Sequence, residues 1–422
     1  MHFLHRVYFR WYLFIVVCSS VIFIFILNLS SLFTNIIKNE KRIFDNRILS
    51  NRLPVSLLAR NQNRLDRLKK YYSQFLNLSS FNQPKGEKTM IYSCSSICFG
   101  WGDRLRGITS VYILALLTRR RFMIAMNHPC SISHVLQPNQ IDWRFQNLTR
   151  ISSKNRTRLI INVMPLRPPS IRTNMMKLIK SQDFYSLRSE YDDIHITTNA
   201  FYITHALRNP FTNASWLLGN LPLKQATQEL LFPLLFELLF KPSLIVRRGV
   251  EQILQRSHRQ LTCLHLRFGR NPSNPFDVQI SQRENLTKVV LEFLDNNPCL
   301  VKPNETLLYI TSDSDQAIQT ILKSYPTMSI TVPGPILHID YANHSLSQKS
   351  ICNGFIKVVT DFYILGECDI SILCRSGFSL WANRRRLDRN SQLFLYRDDL
   401  NRIKKIKIHV IELIVSLKWI FR

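Results

Sequence analysis

The chain alternates short apolar runs with helical patterns, and it does so in two series. The first series is TMIYSC, RFMIAM, RLIINV and DIHITT; the second is LTCLHLR, LLYITSD, SITVPG and DISILC. Runs of this length and composition read as strands, and helical patterns between them imply parallel sheets. Two series predict an α/β chain with two doubly wound domains, joined between Lys241 and Gln260. The apolar stretch LLFPLLFELLFKPSLIV before that join is interrupted by Pro233, Glu237 and Lys241, so it reads as buried helices rather than a membrane span. A length of 422 residues leaves room for two or three domains.

The N-terminus carries an uncharged run, Trp11 to Phe33. As a helix it reaches roughly 34 Å, enough for a hydrocarbon core of about 30 Å. A cleaved signal peptide is the alternative, but its apolar region is normally shorter, about 7–15 residues. The expected order is a tail (1–10), an anchor (11–33) and a stem (34–88). The two domains follow over 89–245 and 246–400, and a C-terminal helix over 401–422. That last segment, ending KIKIHVIELIVSLKWIFR, either packs back on a domain or lies on a membrane surface. The short tail favours a type II orientation, with the body in the lumen of the Golgi or endoplasmic reticulum.

A net charge of +28 implies an anionic partner: nucleic acid, a membrane surface, or a phosphorylated or sulfated molecule. Seven Asn-x-Ser/Thr sequons, at Asn77, Asn147, Asn155, Asn213, Asn285, Asn304 and Asn343, lean toward a glycosylated compartment and away from nucleic acid. No nucleic-acid-binding motif is found. Of nine cysteines, Cys18 lies in the apolar run and eight remain, enough for up to four disulfides of open pairing. Cys94 and Cys98 have a spacing that suits a disulfide or buried thiols better than a metal site.

Four stretches could carry chemistry. In CFGWGDRLRG, Gly100 and Gly102 allow close approach of a ligand, Asp103 can cap the following helix, and Arg104 and Arg106 can neutralise phosphate. It is neither a dinucleotide fingerprint nor a Walker loop. In CLHLRFGRNPSNPFD, His265 and Arg267 fall on one strand face, with Leu264 and Leu266 on the other. Arginine suits phosphate because its planar fork donates two hydrogen bonds. In YITSDSDQ, Ser312 or Asp313 can cap a helix while Asp313 stays at the strand's ligand end. In DISILCRSGFS, Ser376, Gly377, Phe378 and Ser379 form a small-residue turn into a helix, suited to an anion. Each stretch also has a plain structural account as a turn, a cap or a salt bridge.

In this order the parts resemble the fucosyltransferase superfamily that includes the α1,2-, α1,6- and protein O-fucosyltransferases and the nodulation fucosyltransferases. The resemblance runs over roughly 89–382. It implies a GT-B fold, two Rossmann-like domains facing across an active site, and an inverting enzyme that uses GDP-fucose as donor substrate without a metal or other cofactor. By the same resemblance Arg267 stabilises the leaving diphosphate. His265, Asp313 and the turn Ser376, Gly377, Phe378, Ser379 hold the donor, and Gly102, Asp103 and Arg104 close on the phosphates. Inversion calls for a base. Asp277 is the nearest carboxylate after Arg267 and is the expected base, with Asp103 the other candidate. The acceptor is expected to be a glycan or glycoprotein. A glycan-binding protein without activity and a luminal sulfotransferase are the rival functions. GWGDRLRG lacks the order a sulfate-donor loop wants.

Overall fold

The computed structural model describes residues 57–406, except 85, 146–155, 163–168, 182, 184–189, 258–259, 270–278, 341–345 and 387–391. The expected anchor over 11–33 lies outside the described residues. Among those described, no helix is long and apolar enough to cross a membrane.

Parallel strands need crossovers, and the chain supplies them as helices. Helix α1 (Leu57–Tyr72) comes first, followed by β1 (Thr89–Cys94), α2 (Trp101–Leu117), β2 (Arg121–Met126) and β3 (Leu136–Pro138). Then come β4 (Arg158–Asn162), α3 (Pro169–Ser181) and β5 (Asp193–Thr197). The first sheet has the order β2-β1-β5-β4, all parallel. Two short helices, α4 (Ile203–Leu207) and α5 (Ser215–Leu218), lead to α6 (Gln228–Leu239), β6 (Phe240–Pro242) and α7 (Leu244–Arg256). The long apolar stretch is thus α6 and the start of α7, with β6 paired to β3 between them.

The second series opens with β7 (Gln260–Leu266), α8 (Leu286–Asp295), β8 (Thr306–Ser312), α9 (Asp315–Ser324) and the two-residue β9 (Ser329–Ile330). It continues with α10 (Gln348–Leu365), β10 (Ile370–Leu373), α11 (Gly377–Arg384), β11 (Gln392–Arg397) and β12 (Arg402–Ile406). The order of this sheet is β12-β11-β10-β7-β8-β9, parallel except for the last hairpin, β11 with β12. Each of the eight expected strand runs contains a strand. The C-terminal segment differs from expectation: 402–406 is an antiparallel edge strand rather than helix, in which Ile403 and Ile406 pack on the two opposite faces of the sheet. Residues 407–422 lie outside the described residues.

One apolar core spans both series, and a second lies on the other face of the second sheet. Trp101 of α2 packs edge-on against Phe355 of α10, with centroids 5.6 Å apart, and Phe232 of α6 lies 4.5 Å from Trp381 of α11. Burying such a ring contributes about 1.5–3 kcal/mol. Cys130, beyond β2, is bridged to Cys352 of α10; Cys94 pairs with Cys98 and Cys263 with Cys368. Cys299 and Cys374 are free thiols.

The stem expected over 34–88 is, from Leu57 on, part of this body. Leu65, Leu68 and Tyr72 of α1 are buried, and Arg64 enters a buried ion-pair group. It reaches Glu367 at 2.5 Å and Glu237 at 3.5 Å, and Glu237 also takes Arg385 at 2.9 Å. Breaking such a group leaves an uncompensated charge in the interior, so α1 is tied to both halves of the body.

Candidate active site

The carboxyl ends of β7 and β8 stand side by side, with His265 in register with Thr311. His265 and Arg267 face one cavity, whereas Leu264 and Leu266 lie in the core on the other side of the sheet. The N-terminus of α11 brings Ser376, Gly377 and Phe378 to the same cavity, and the N-terminus of α2 brings Gly102, Asp103 and Arg106 from the first half. The floor carries Lys357 and Asp361 of α10, and the segment Pro335–Ile339 forms a further wall. The volume is about 450 Å³.

Asp313 organises the strand ends. Its carboxylate accepts from Arg267 Nη1 at 2.5 Å, from the Phe268 N–H at 2.8 Å and from the Gly269 N–H at 2.7 Å. The cap of α9 is not Ser312 or Asp313 but Ser314, which accepts from the Ala317 N–H. That leaves Asp313 to turn back on the β7 end and to hold Arg267 at the cavity, where a quarter of the arginine side chain is exposed (25%). Gly269 adopts φ 78°, so a side chain there would strain this turn.

His265 is buried, with its ring 5.4 Å from that of Phe378. Burial pushes its imidazole down to about 3, with Arg267 and Arg283 acting in the same direction and Asp313 opposing, so the ring is neutral at neutral pH. Its Nδ1 is buried and has no hydrogen-bond partner among the described residues.

The first half meets the second at Gly102. A Cβ there would stand 2.7 Å from the Gly377 carbonyl carbon and oxygen and 3.1 Å from the Phe378 nitrogen, so glycine is needed for backbone against backbone. Gly100, rather than Asp103, is the N-cap of α2, and Asp103 in the first turn pairs with Arg106. Burial pushes the Asp103 carboxyl upward; Arg106 opposes this most strongly, Asp340 reinforces it, and the Gly100 backbone and Arg104 also oppose it.

Two of the expected site residues do not line the cavity. Arg104 has no exposed side chain; it donates to Asp340 at 2.7 Å and to the carbonyls of Phe99, His128 and Ile339. Its charge is used to fasten Asp340 of the second half to the first, and the Cys98 N–H joins the same carboxylate at 2.9 Å. Ser379 is fully buried, with its hydroxyl toward the Cys374 carbonyl. Asp277 lies outside the described residues.

No family model matches this sequence, and no curated protein does. Among solved structures it is similar to FUT1 of Arabidopsis thaliana in complex with GDP, with 14% identity, 84% of each chain covered and a TM-score of 0.51. Two others are NodZ from Bradyrhizobium (14% identity, 77% of this chain and 100% of that one, TM-score 0.48) and POFUT1 in complex with GDP (11%, 71% and 96%, 0.38). The chain has a GT-B, fucosyltransferase-like fold.

Within this GT-B frame several groups escape the sequence reading. Arg283 is buried and donates to both oxygens of Asp398, at 2.7 and 3.0 Å. It also donates to the carbonyls of Arg267 at 2.8 Å and Arg375 at 3.3 Å, so one guanidinium sets the backbone of two cavity arginines. Asp361 accepts from Tyr309 at 2.5 Å, Thr311 at 2.7 Å and Lys357 at 3.1 Å. Among the described residues the cavity wall holds five cationic side chains (Arg106, Arg267, Lys357, Arg375, Arg384) against three carboxylates (Asp103, Asp313, Asp361).

Proposed function

We propose that this protein transfers fucose from GDP-fucose to a hydroxyl of a glycan or glycoprotein, inverting the anomeric centre without a metal ion. The observation that carries this reading is the cavity: cations exceed carboxylates there, and four strand ends of a GT-B body converge on it. A diphosphate is the ligand such an excess favours. A solved neighbour of this fold is a GDP complex, and the donor of this chain is proposed on that footing.

In this reading Arg267, oriented by Asp313, takes the diphosphate. The acceptor oxygen bonds to the anomeric carbon as the carbon–oxygen bond to the β-phosphate breaks, and the electron pair leaves on GDP. Arg267 faces the charge that develops there, which a fixed cation stabilises more than it stabilises the bound donor. The Ser376–Phe378 turn presents the α11 N-terminus to the same group. Neutral His265 offers an uncharged ring nitrogen to the donor.

The body is proposed to be luminal, held by an N-terminal anchor in a Golgi or endoplasmic reticulum membrane. Three disulfides suit an oxidising compartment, and the sequon asparagines among the described residues, Asn77, Asn213, Asn285 and Asn304, are all exposed.

The deciding experiment is GDP-fucose binding by the protein and by its Arg267→Ala variant, with other GDP-sugars and the sulfate-donor nucleotide as controls and a chelator present. Selective binding of GDP-fucose, weakened about 10- to 150-fold in the variant, is expected, the range for losing hydrogen bonds to a charged group. A folded protein that binds no nucleotide sugar would sink the reading.

A further inference from the structure

Inverting transfer to a hydroxyl needs a group to take its proton; Asp277 lies outside the described residues, and among the described residues the cavity offers three carboxylates and two histidines. Two of the carboxylates are already committed. Asp313 holds Arg267 and two backbone N–H groups, and Asp361 holds Tyr309, Thr311 and Lys357. The side chain of each is 7% exposed. Asp103 differs on both counts. Among the described residues its carboxylate meets the Arg106 side chain and the Gly100 backbone, and its side chain is 28% exposed. His265 is a poor base because burial holds it neutral far into acid. His338 accepts the Asp340 N–H at its Nδ1, which leaves Nε2 as a donor.

Position also separates the carboxylates. Asp313 and Asp361 belong to the second half, just beyond strand β8 and on helix α10, whereas Asp103 stands on α2 of the first half. Gly102 beside it meets the Gly377 backbone, so Asp103 stands where the two halves meet and opens on the cavity from the first half.

We propose that Asp103 is the base that accepts the acceptor hydroxyl's proton. This rests on the fucosyl-transfer reading of the same cavity. The proton passes from the acceptor oxygen to the Asp103 carboxylate while the oxygen bonds to the anomeric carbon and GDP leaves with the electron pair. Arg106 keeps the carboxylate ionised between turnovers and is itself held over the Phe201 ring, 4.4 Å from its centroid. Desolvation pushes the carboxyl upward, in the direction that makes it a better proton acceptor.

The test uses the full chain, GDP-fucose, and water or azide as acceptor, with GDP release as the readout. Asp103→Asn keeps the side chain's shape. It is expected to lower GDP release to water by about 100-fold or more, the low end for a general base. GDP binding is expected not to weaken, since the variant removes a negative charge from the cavity and leaves its cations in place. Azide brings no proton to lose, so it should restore turnover in the variant and yield fucosyl azide. An unaltered rate to water in Asp103→Asn, an equal loss with azide, or a loss of GDP binding overturns the proposal. So does a wild type that binds GDP-fucose but releases no GDP under any condition. A wild type that fails to bind GDP-fucose overturns the transferase reading instead, and binding is measured first.

Discussion

Two turns in this molecule put an arginine near a glycine at the end of a strand, and they use it in opposite ways. After β1, Arg104 is wholly enclosed: its guanidinium meets Asp340 and three carbonyls, and none of its side chain is exposed. After β7, Arg267 pairs with Asp313 yet keeps 25% of its side chain exposed at the cavity. The difference lies in where the carboxylate comes from. Asp340 arrives from the opposite half and closes over the arginine, making a lock between halves. Asp313 sits on the neighbouring strand and holds the arginine from behind, making a cradle. A cationic residue in a glycine-rich turn is therefore not by itself a phosphate ligand; the source of its counter-charge decides.

The largest expected effect tests the lock. Removing one partner of a fully enclosed pair leaves the other charged in the interior, which costs about 3–5 kcal/mol. Arg104→Ala and Asp340→Ala should each lose about that much stability in urea denaturation, and the double variant should lose less than the two together. Arg267→Ala should stay within about 1 kcal/mol of wild type, because a partly exposed pair contributes little and Asp313 keeps its two backbone donors. Equal losses at Arg104 and Arg267 would erase the distinction between lock and cradle.

Next is the contact that joins them. Gly102→Ala places a carbon 2.7 Å from the Gly377 backbone, which cannot swing aside as a side chain tip would. Overpacking of this kind costs about 1–3 kcal/mol. The loss of stability should come with weaker GDP binding, since relief means drawing the α2 and α11 N-termini apart. Unchanged binding in a destabilised protein would show that the two turns act separately. A smaller effect is expected behind the cradle: Arg283→Met should weaken GDP binding about tenfold, roughly 1.4 kcal/mol. It would do so by releasing the carbonyls of Arg267 and Arg375, and an unaltered affinity would show that the cradle needs no such support.

How much of this was legible beforehand follows from what leaves a local mark. Apolar runs bounded by breakers announced β1, β2, β4, β5, β7, β8 and β10, and strand alternation placed His265 and Arg267 on the cavity side. Helix α2 resisted. All its residues except Asp103 are buried, so it has no polar face, and spacing could not tell that Arg106 looks into the cavity while Arg104 looks away. Asp340, Lys357 and the Arg283–Asp398 pair were illegible for another reason. Their partners are far off in sequence, so only the closed tertiary structure reveals them. Strand β12 left little mark because the helical spacing of apolar residues belongs to KIKIHVIELIVSLKWIFR, nearly all of it beyond the strand, whereas lysines and arginines on an edge strand guard against pairing with other chains.

A pH-dependent effect falls on the cradle alone. An unfolded histidine titrates near 6.5, while His265 in the fold is held down to about 3 by burial. Between those values the unfolded chain binds the extra proton, so stability rises with pH in that window and is lost as the solution is acidified toward 3. The slope from one such group is at most about 1.4 kcal/mol per pH unit. His128, His195 and His205 are lowered in the same direction, also first by burial, so the wild-type curve alone would not single out His265. Comparison with His265→Gln does, because the other three are common to both proteins. The stability advantage of wild type over this variant should shrink from pH 7 to pH 5, while the advantage over Arg104→Ala, a change in the lock, should not follow that course. Parallel curves for wild type and His265→Gln would mean that the ring is not held neutral, and that the cradle is more open to water than its burial implies.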